Sequence, residues 1–340
     1  MRLSLDRRWL VKLATVALLV PLSLASAQRG STARAVSRTT ADAIVDTLRL
    51  YYLGYAIGRE TYELGPAASG FALTADFEYN DRGRRTHLAG SMLLRRDYSL
   101  QRLQVERLTD STRTVETRVE IDGGRATVER RGDTTGVEVP PLAFAISPYA
   151  PVSQHLALLR YWMAHGRPAS LAVVPGGPVN AVHIAVSGRD TVRAGGRRIV
   201  LDRYAIDGVV WGIEYLWIDG EGRLAAFTTA GGGGLSLEAI RTELEPAYSQ
   251  LMRRAAAAAM ADLARMSRLV QPVASGLVAL VGATLIDGTG NAPVPNATVV
   301  VNGGRVVAAG PAASVAVPAG AERIDASGKT IIPGLWDMHT

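Results

Sequence analysis

The 340-residue sequence has no cysteine and only two lysines, Lys12 and Lys329. Without cysteine there can be no disulfide, no thiolate metal ligand, no cysteine nucleophile and no lipid-bearing N-terminal cysteine. Aromatic residues make up 6% of the chain. No uncharged apolar run approaches the roughly 20 residues a membrane-spanning helix needs. Charge of one sign is not concentrated either. The formal net charge is +6, but the arginines alternate with acids, as in Arg102, Glu106, Arg107, Asp110 and Arg113. That pattern suits solvated strand faces, whereas a nucleic-acid surface needs one-sided basic clustering with interleaved aromatics. Nucleic acid is therefore not an expected partner.

What is present divides into stretches of different style. Met1 to Lys12 carries Arg2, Arg7, Arg8 and Lys12, Leu13 to Leu24 is an apolar run, and Ala25-Ser26-Ala27 offers small residues. Those three regions in that order make residues 1–27 a secretory signal with cleavage expected after Ala27. The apolar run also contains Pro21 and Ser23 and is too short to anchor the chain. The mature protein is then expected to be periplasmic or secreted, with no stable membrane anchor. Residues 28–43 have too little apolar content to pack and are expected to form a flexible leader.

From 44 to 230 apolar and polar residues alternate in short runs between turn signals, which predicts an antiparallel β-rich domain. Phe71, Leu73, Ala75, Phe77 and Tyr79 fall on one strand face, with Thr74, Asp76 and Glu78 on the other. Asp122-Gly123-Gly124 is expected to join strands 115–121 and 126–130, and Asp219-Gly220-Glu221-Gly222 to join 211–218 and 224–229. One helix, Val152 to Ala164, ends at His165-Gly166 and is expected to lie on the concave side of the sheet. Many antiparallel strands around one helix resemble the half-barrels of periplasmic lipoprotein-carrier domains, in architecture alone. His87, His155, His165 and His183 show no metal-ligand spacing, and each is expected to be a surface or satisfied histidine. No Gly-x-Ser-x-Gly elbow is present. The four glycines 231–234 and a helix from Glu245 to Leu269, with Pro246 in its first turn, form an expected linker over 231–276.

After Gly276 the style changes again. Gly282-Ala-Thr-Leu-Ile-Asp-Gly-Thr-Gly290 is followed by Ala297-Thr-Val-Val-Val301 and Gly304-Arg-Val-Val-Ala-Ala-Gly310. The chain then runs Ile324-Asp-Ala-Ser-Gly-Lys-Thr-Ile-Ile-Pro-Gly-Leu-Trp-Asp-Met-His-Thr340. This ordered series resembles the N-terminus of the amidohydrolase superfamily, closest to its imidazolonepropionase-like and Xaa-Pro dipeptidase-like members. The fold class expected for the whole is thus mainly β. An antiparallel β-rich domain with one or two helices precedes a small β-sandwich, 277–340, whose (β/α)8 barrel is missing beyond the start of its first strand.

The resemblance implies that His339 is a metal ligand, the first of two histidines separated by one residue, and that Asp337 orients its neighbours. It implies a divalent metal, zinc first, in the complete protein. It also implies a small-molecule substrate whose amide, cyclic amide or dipeptide C–N bond is cut by metal-activated water. With one ligand, the fragment itself is expected to be inactive, because catalytic zinc takes three protein ligands. The alternative is a non-enzymatic exported module that binds a ligand or partner through its β domain and carries a remnant hydrolase tail.

Overall fold

The computed structural model describes residues 43–148, 150–175, 181–230, 236–270 and 274–334. The signal segment 1–27, the leader up to residue 42, the glycine run 231–234, and Asp337 and His339 lie outside the described residues.

Among the described residues the chain is mainly β, with two α-helices. Its first eight strands are β1 (Ile44–Tyr52), β2 (Tyr55–Ala67), β3 (Gly70–Asp81), β4 (Arg84–Arg95), β5 (Leu100–Leu108), β6 (Arg113–Asp122), β7 (Arg125–Arg130) and β8 (Asp133–Glu138). A short strand β9 (Ala143–Ala145), helix α1 (Gln154–Ala164) and β10 (Ala172–Val174) follow. Next come β11 (His183–Ala194), β12 (Arg197–Asp207), β13 (Ile213–Asp219), β14 (Leu224–Ala230) and β15 (Leu237–Arg241), then helix α2 (Tyr248–Leu269). The last five strands are β16 (Leu277–Leu285), β17 (Val294–Asn302), β18 (Arg305–Pro311), β19 (Glu322–Asp325) and β20 (Thr330–Ile331).

Thirteen strands make one sheet in the order β11-β12-β13-β14-β15-β1-β2-β3-β4-β5-β6-β7-β8. Each neighbouring pair is antiparallel, as expected for runs joined by short Gly-bearing turns. The register follows the alternation of the sequence. In β3, Leu73, Ala75 and Phe77 are buried and Phe71 and Tyr79 pack partly against the same core. The sheet also takes in β15, which hydrogen-bonds to β1 with Leu50 opposite Ala239. Trp211 is not in a strand. It stands 66% exposed between the positive-φ glycines Gly208 and Gly212, while its neighbours Val209 and Val210 are buried.

Two apolar clusters use the two faces of the sheet. The larger one gathers Leu48, Leu73, Phe77, Leu94 and Leu103 around α1, whose Leu156, Leu158, Leu159 and Tyr161 are almost fully buried. Burying such a side chain stabilises by about 1.5–3 kcal/mol, so this helix is held chiefly by packing. The second cluster sets Tyr215 and Trp217 of β13 against Leu251 and Ala255 of α2. Because successive strand residues point to opposite faces, Leu216 and Ile218 meanwhile join the first cluster. That is why β13 is buried from Glu214 to Ile218.

Helix α1 begins two residues later than the pattern suggested. Val152 and Ser153 donate their N–H groups to Glu60 of β2. Its end matches the expected stop: Gly166 takes φ +77°, and Arg167 N–H reaches back to the Trp162 carbonyl at 2.9 Å. The second helix also differs. Thr242–Ala247 is a 3-10 turn holding Pro246, and the α-helix proper starts at Tyr248, whose ring stacks on Tyr51. Among the described residues no helix is long and apolar enough to cross a membrane.

Strands β16 to β20 form a separate five-stranded sheet. The second cluster of short Val- and Ala-rich runs seen in the sequence therefore pairs as expected, β16 with β17 and β17 with β18, all antiparallel.

Candidate functional site

The residues leading toward Asp337 and His339 are tightly specified. Strand β16 takes β19 and then β20 in parallel along one side, with Leu280 opposite Ile324 and Leu285 opposite Ile331. Gly282 has φ +85°, a conformation that favours glycine, and a Cβ there would lie 2.6 Å from the Ser327 Oγ of the turn after β19, so that side chain would have to turn away. Asp287 Oδ1 accepts the Thr289 N–H at 2.9 Å and its hydroxyl at 2.6 Å. These bonds hold the Asp287 carboxyl below its usual range. The turn they build meets Pro333, whose Cγ would be 3.0 Å from a Cβ on Gly288. The chain is thus pinned to the Asp287–Gly288 turn a few residues before Asp337 and His339, which themselves lie outside the described residues. Among the described residues no group of three His, Asp or Glu could hold a metal ion. The candidate ligand His339 is not among those residues.

The other histidines all have protein partners. His87 Nε2 is 2.8 Å from Asp76 Oδ2, His165 Nδ1 bonds the Tyr161 carbonyl at 2.9 Å, and His183 Nδ1 bonds the Ala169 carbonyl at 2.9 Å. His155 is different in kind. It is fully buried, with Nδ1 3.0 Å from the Val152 carbonyl and Nε2 3.2 Å from Oε1 of Glu214, itself fully buried. A carbonyl can only accept, so Nδ1 carries a hydrogen, and Nε2 is the atom that faces Glu214. Burial pulls the His155 pKa down, but the Glu214 carboxylate pulls it up more strongly, and the net direction is upward.

Beside it lies a third buried ionisable group. Glu60 Oε2 accepts Val152 N–H at 2.7 Å and Oε1 accepts Ser153 N–H at 2.9 Å. Ser153 itself makes no side-chain cap, so Glu60 does that work from a neighbouring strand. Anionic oxygens at a helix N-terminus are favoured by the unpaired N–H groups there. Burial nevertheless raises the Glu60 pKa. Chemically, Glu60, His155 and Glu214 form a buried cluster of ionisable groups in which Glu60 and His155 hold their protons more tightly than usual. They are 0% exposed, so no substrate reaches them, and they act as a latch that fixes α1 on the sheet. Strand alternation carried the signal for both acids: Glu60 shares a face with Tyr62 and Leu64, and Glu214 shares one with Leu216 and Ile218.

No family model matches the chain. Over 59 residues, 17% of this chain, the sequence is 46% identical to a 5-methylthioadenosine/S-adenosylhomocysteine deaminase of Symbiobacterium thermophilum, and the chain spans 14% of that enzyme's length. The likeness is to an amidohydrolase-type enzyme, and it covers a short piece of each protein.

Proposed function

We propose that this chain is the front part of an exported, metal-dependent amidohydrolase, with residues 277–340 as the segment that leads into its catalytic barrel. The observation that carries the reading is the 46% identity over 59 residues to an amidohydrolase-type deaminase. We assign that stretch to the C-terminal segment because the ordered motifs from Gly282 to His339 lie there. The reaction class is hydrolysis of a C–N bond in a small molecule. A bound divalent metal, zinc first, would supply activated water. Its ligands would be His339 and positions beyond the described residues. The role left to the described residues is positional: Gly282, Asp287 and Pro333 shape the path of the chain up to residue 334.

The rival reading, a non-enzymatic module that binds a ligand or a partner, meets a physical obstacle in its apolar-ligand form. The apolar face such a carrier would offer is already filled by Leu156, Leu158, Leu159 and Tyr161 of α1.

The test is to read the coding DNA past Thr340, express the whole frame, and measure bound metal and hydrolysis of amide, dipeptide and aminopurine substrates. A bound divalent ion and turnover, both lost in His339→Ala, are expected. A frame that stops at Thr340, or a complete protein that binds no metal and hydrolyses none of these, ends the proposal. N-terminal sequencing of the exported protein checks cleavage after Ala27.

A further inference from the structure

Three hairpins of the large sheet are closed by opposite charges. Asp81 faces Arg84 across β3–β4, Asp122 faces Arg125 across β6–β7, and Arg130 faces Asp133 across β7–β8. Directly opposed residues of unlike charge stabilise a strand pair, and like charges destabilise it. The β11–β12 hairpin instead sets like charges opposite one another. Its two-residue turn, Gly195 at φ +55° and Gly196 at φ +75°, places Arg197 opposite Ala194 and Arg198 directly opposite Arg193. All three arginines are exposed, and none has an acidic partner among the described residues. Farther down the same hairpin the pattern returns, with Arg189 bonded to Asp202 at 2.6 Å. The other directly opposed arginines, Arg49 and Arg59, differ because Glu245 lies 3.7 Å from Arg49.

Nearby acids do not make up the deficit. Arg197 and Arg198 line a groove of about 490 Å³ together with Asp219, Glu221 and Glu243. Asp219 is bonded to Arg241 at 2.8 Å, Glu243 to Arg241 at 2.9 Å, and Glu221 lies 3.8 Å from Arg223. The acids are engaged by other arginines, and the hairpin's positive charge is left uncompensated at the groove mouth.

We propose that the tip of the β11–β12 hairpin is a binding site for a phosphate-bearing ligand, gripped by Arg193 and Arg198 on one face with Arg197 across the turn. Guanidinium forks match the oxygen geometry of phosphate, and an anion between Arg193 and Arg198 turns a repulsive pair into a clamp. The phosphate can come from a soluble phosphorylated molecule or from a lipid headgroup.

The test uses the full chain at constant ionic strength. Pyrophosphate binding is followed by calorimetric titration, and vesicle binding by co-sedimentation with phosphatidylglycerol or phosphatidylcholine. Saturable pyrophosphate binding is expected, weakened about tenfold in Arg198→Thr, which removes charge-assisted bonds while keeping a residue suited to a strand. Arg189→Gln removes the same charge from the same hairpin and should leave binding unchanged. Retention on phosphatidylglycerol vesicles that pyrophosphate displaces assigns the site to lipid headgroups. Pyrophosphate binding without vesicle retention assigns it to soluble ligands. Equal weakening by Arg189→Gln and Arg198→Thr would show a net-charge effect and overturn the site, as would the lack of any saturable binding of either probe.

Discussion

Replacing Glu60 with alanine isolates the latch at the start of α1. Glu60 is fully buried and accepts the N–H groups of Val152 and Ser153 at 2.7 and 2.9 Å. Alanine leaves two buried donors without a partner, each costing about 1–3 kcal/mol. It also removes the buried carboxyl group beside the His155–Glu214 pair. Two unpaired donors together set the expected loss at about 2–6 kcal/mol. Chemical denaturation followed by far-ultraviolet circular dichroism reads it directly. Glu60→Gln keeps one acceptor oxygen and should lose about half as much, which separates the missing bonds from simple loss of volume. A loss below about 1 kcal/mol for Glu60→Ala would refute the claim that α1 depends on this carboxylate for its N-terminal bonds.

Three further outcomes follow from the same contacts. The Glu60 and His155 pKa values are both raised from their ordinary 4.5 and 6.5. Their stabilising contributions are therefore complete below those values and are lost as pH rises through the higher folded ones, so denaturation midpoints should fall toward alkaline pH and His155→Asn should flatten that slope. Gly90→Ala would put a Cβ 2.7 Å from Pro151 Cγ, and a loss of about 1–3 kcal/mol in thermal unfolding is expected from overpacking. Trp217→Phe deletes the 2.9 Å bond from Nε1–H to Asp190 Oδ2, and denaturant titration should show a loss of about 1–2 kcal/mol because Asp190 is buried.

Local pattern carried most of the strands. Phe71 to Tyr79, the Asp122-Gly123-Gly124 turn and the stop at Gly166 can each be read from residues that are neighbours in the chain. Trp211 could not: its apolar character suggested strand, whereas two positive-φ glycines lift it out of the sheet. Pro246 looked like the first turn of an α-helix, but the stretch from Thr242 tightens into a 3-10 turn ahead of Tyr248. The latch was hidden for a different reason. His155 and Glu214 are 59 residues apart in sequence, and nothing local to a histidine on an apolar helix announces a carboxylate from a distant strand. Glu60 and Glu214 were nevertheless detectable as acids on inward-facing positions. In the C-terminal segment the turns around Asp287 and Asp325 follow from Asp-x-Thr and Asp-x-Ser spacing, because the aspartate bonds the N–H two residues on.

The pairing of β1 with β15 sets the timetable for folding. Strand β1 lies in the interior of the large sheet, and Thr47 and Thr242, which bond across that junction, are 195 residues apart. Contacts so distant in sequence form late, since the loop between them must close first. Until β15 docks, the amino-terminal meander presents β1 as a bare edge, open to pairing with another chain. A folding intermediate that holds β1 to β8 without β15 is therefore the form of this protein most exposed to strand-to-strand association.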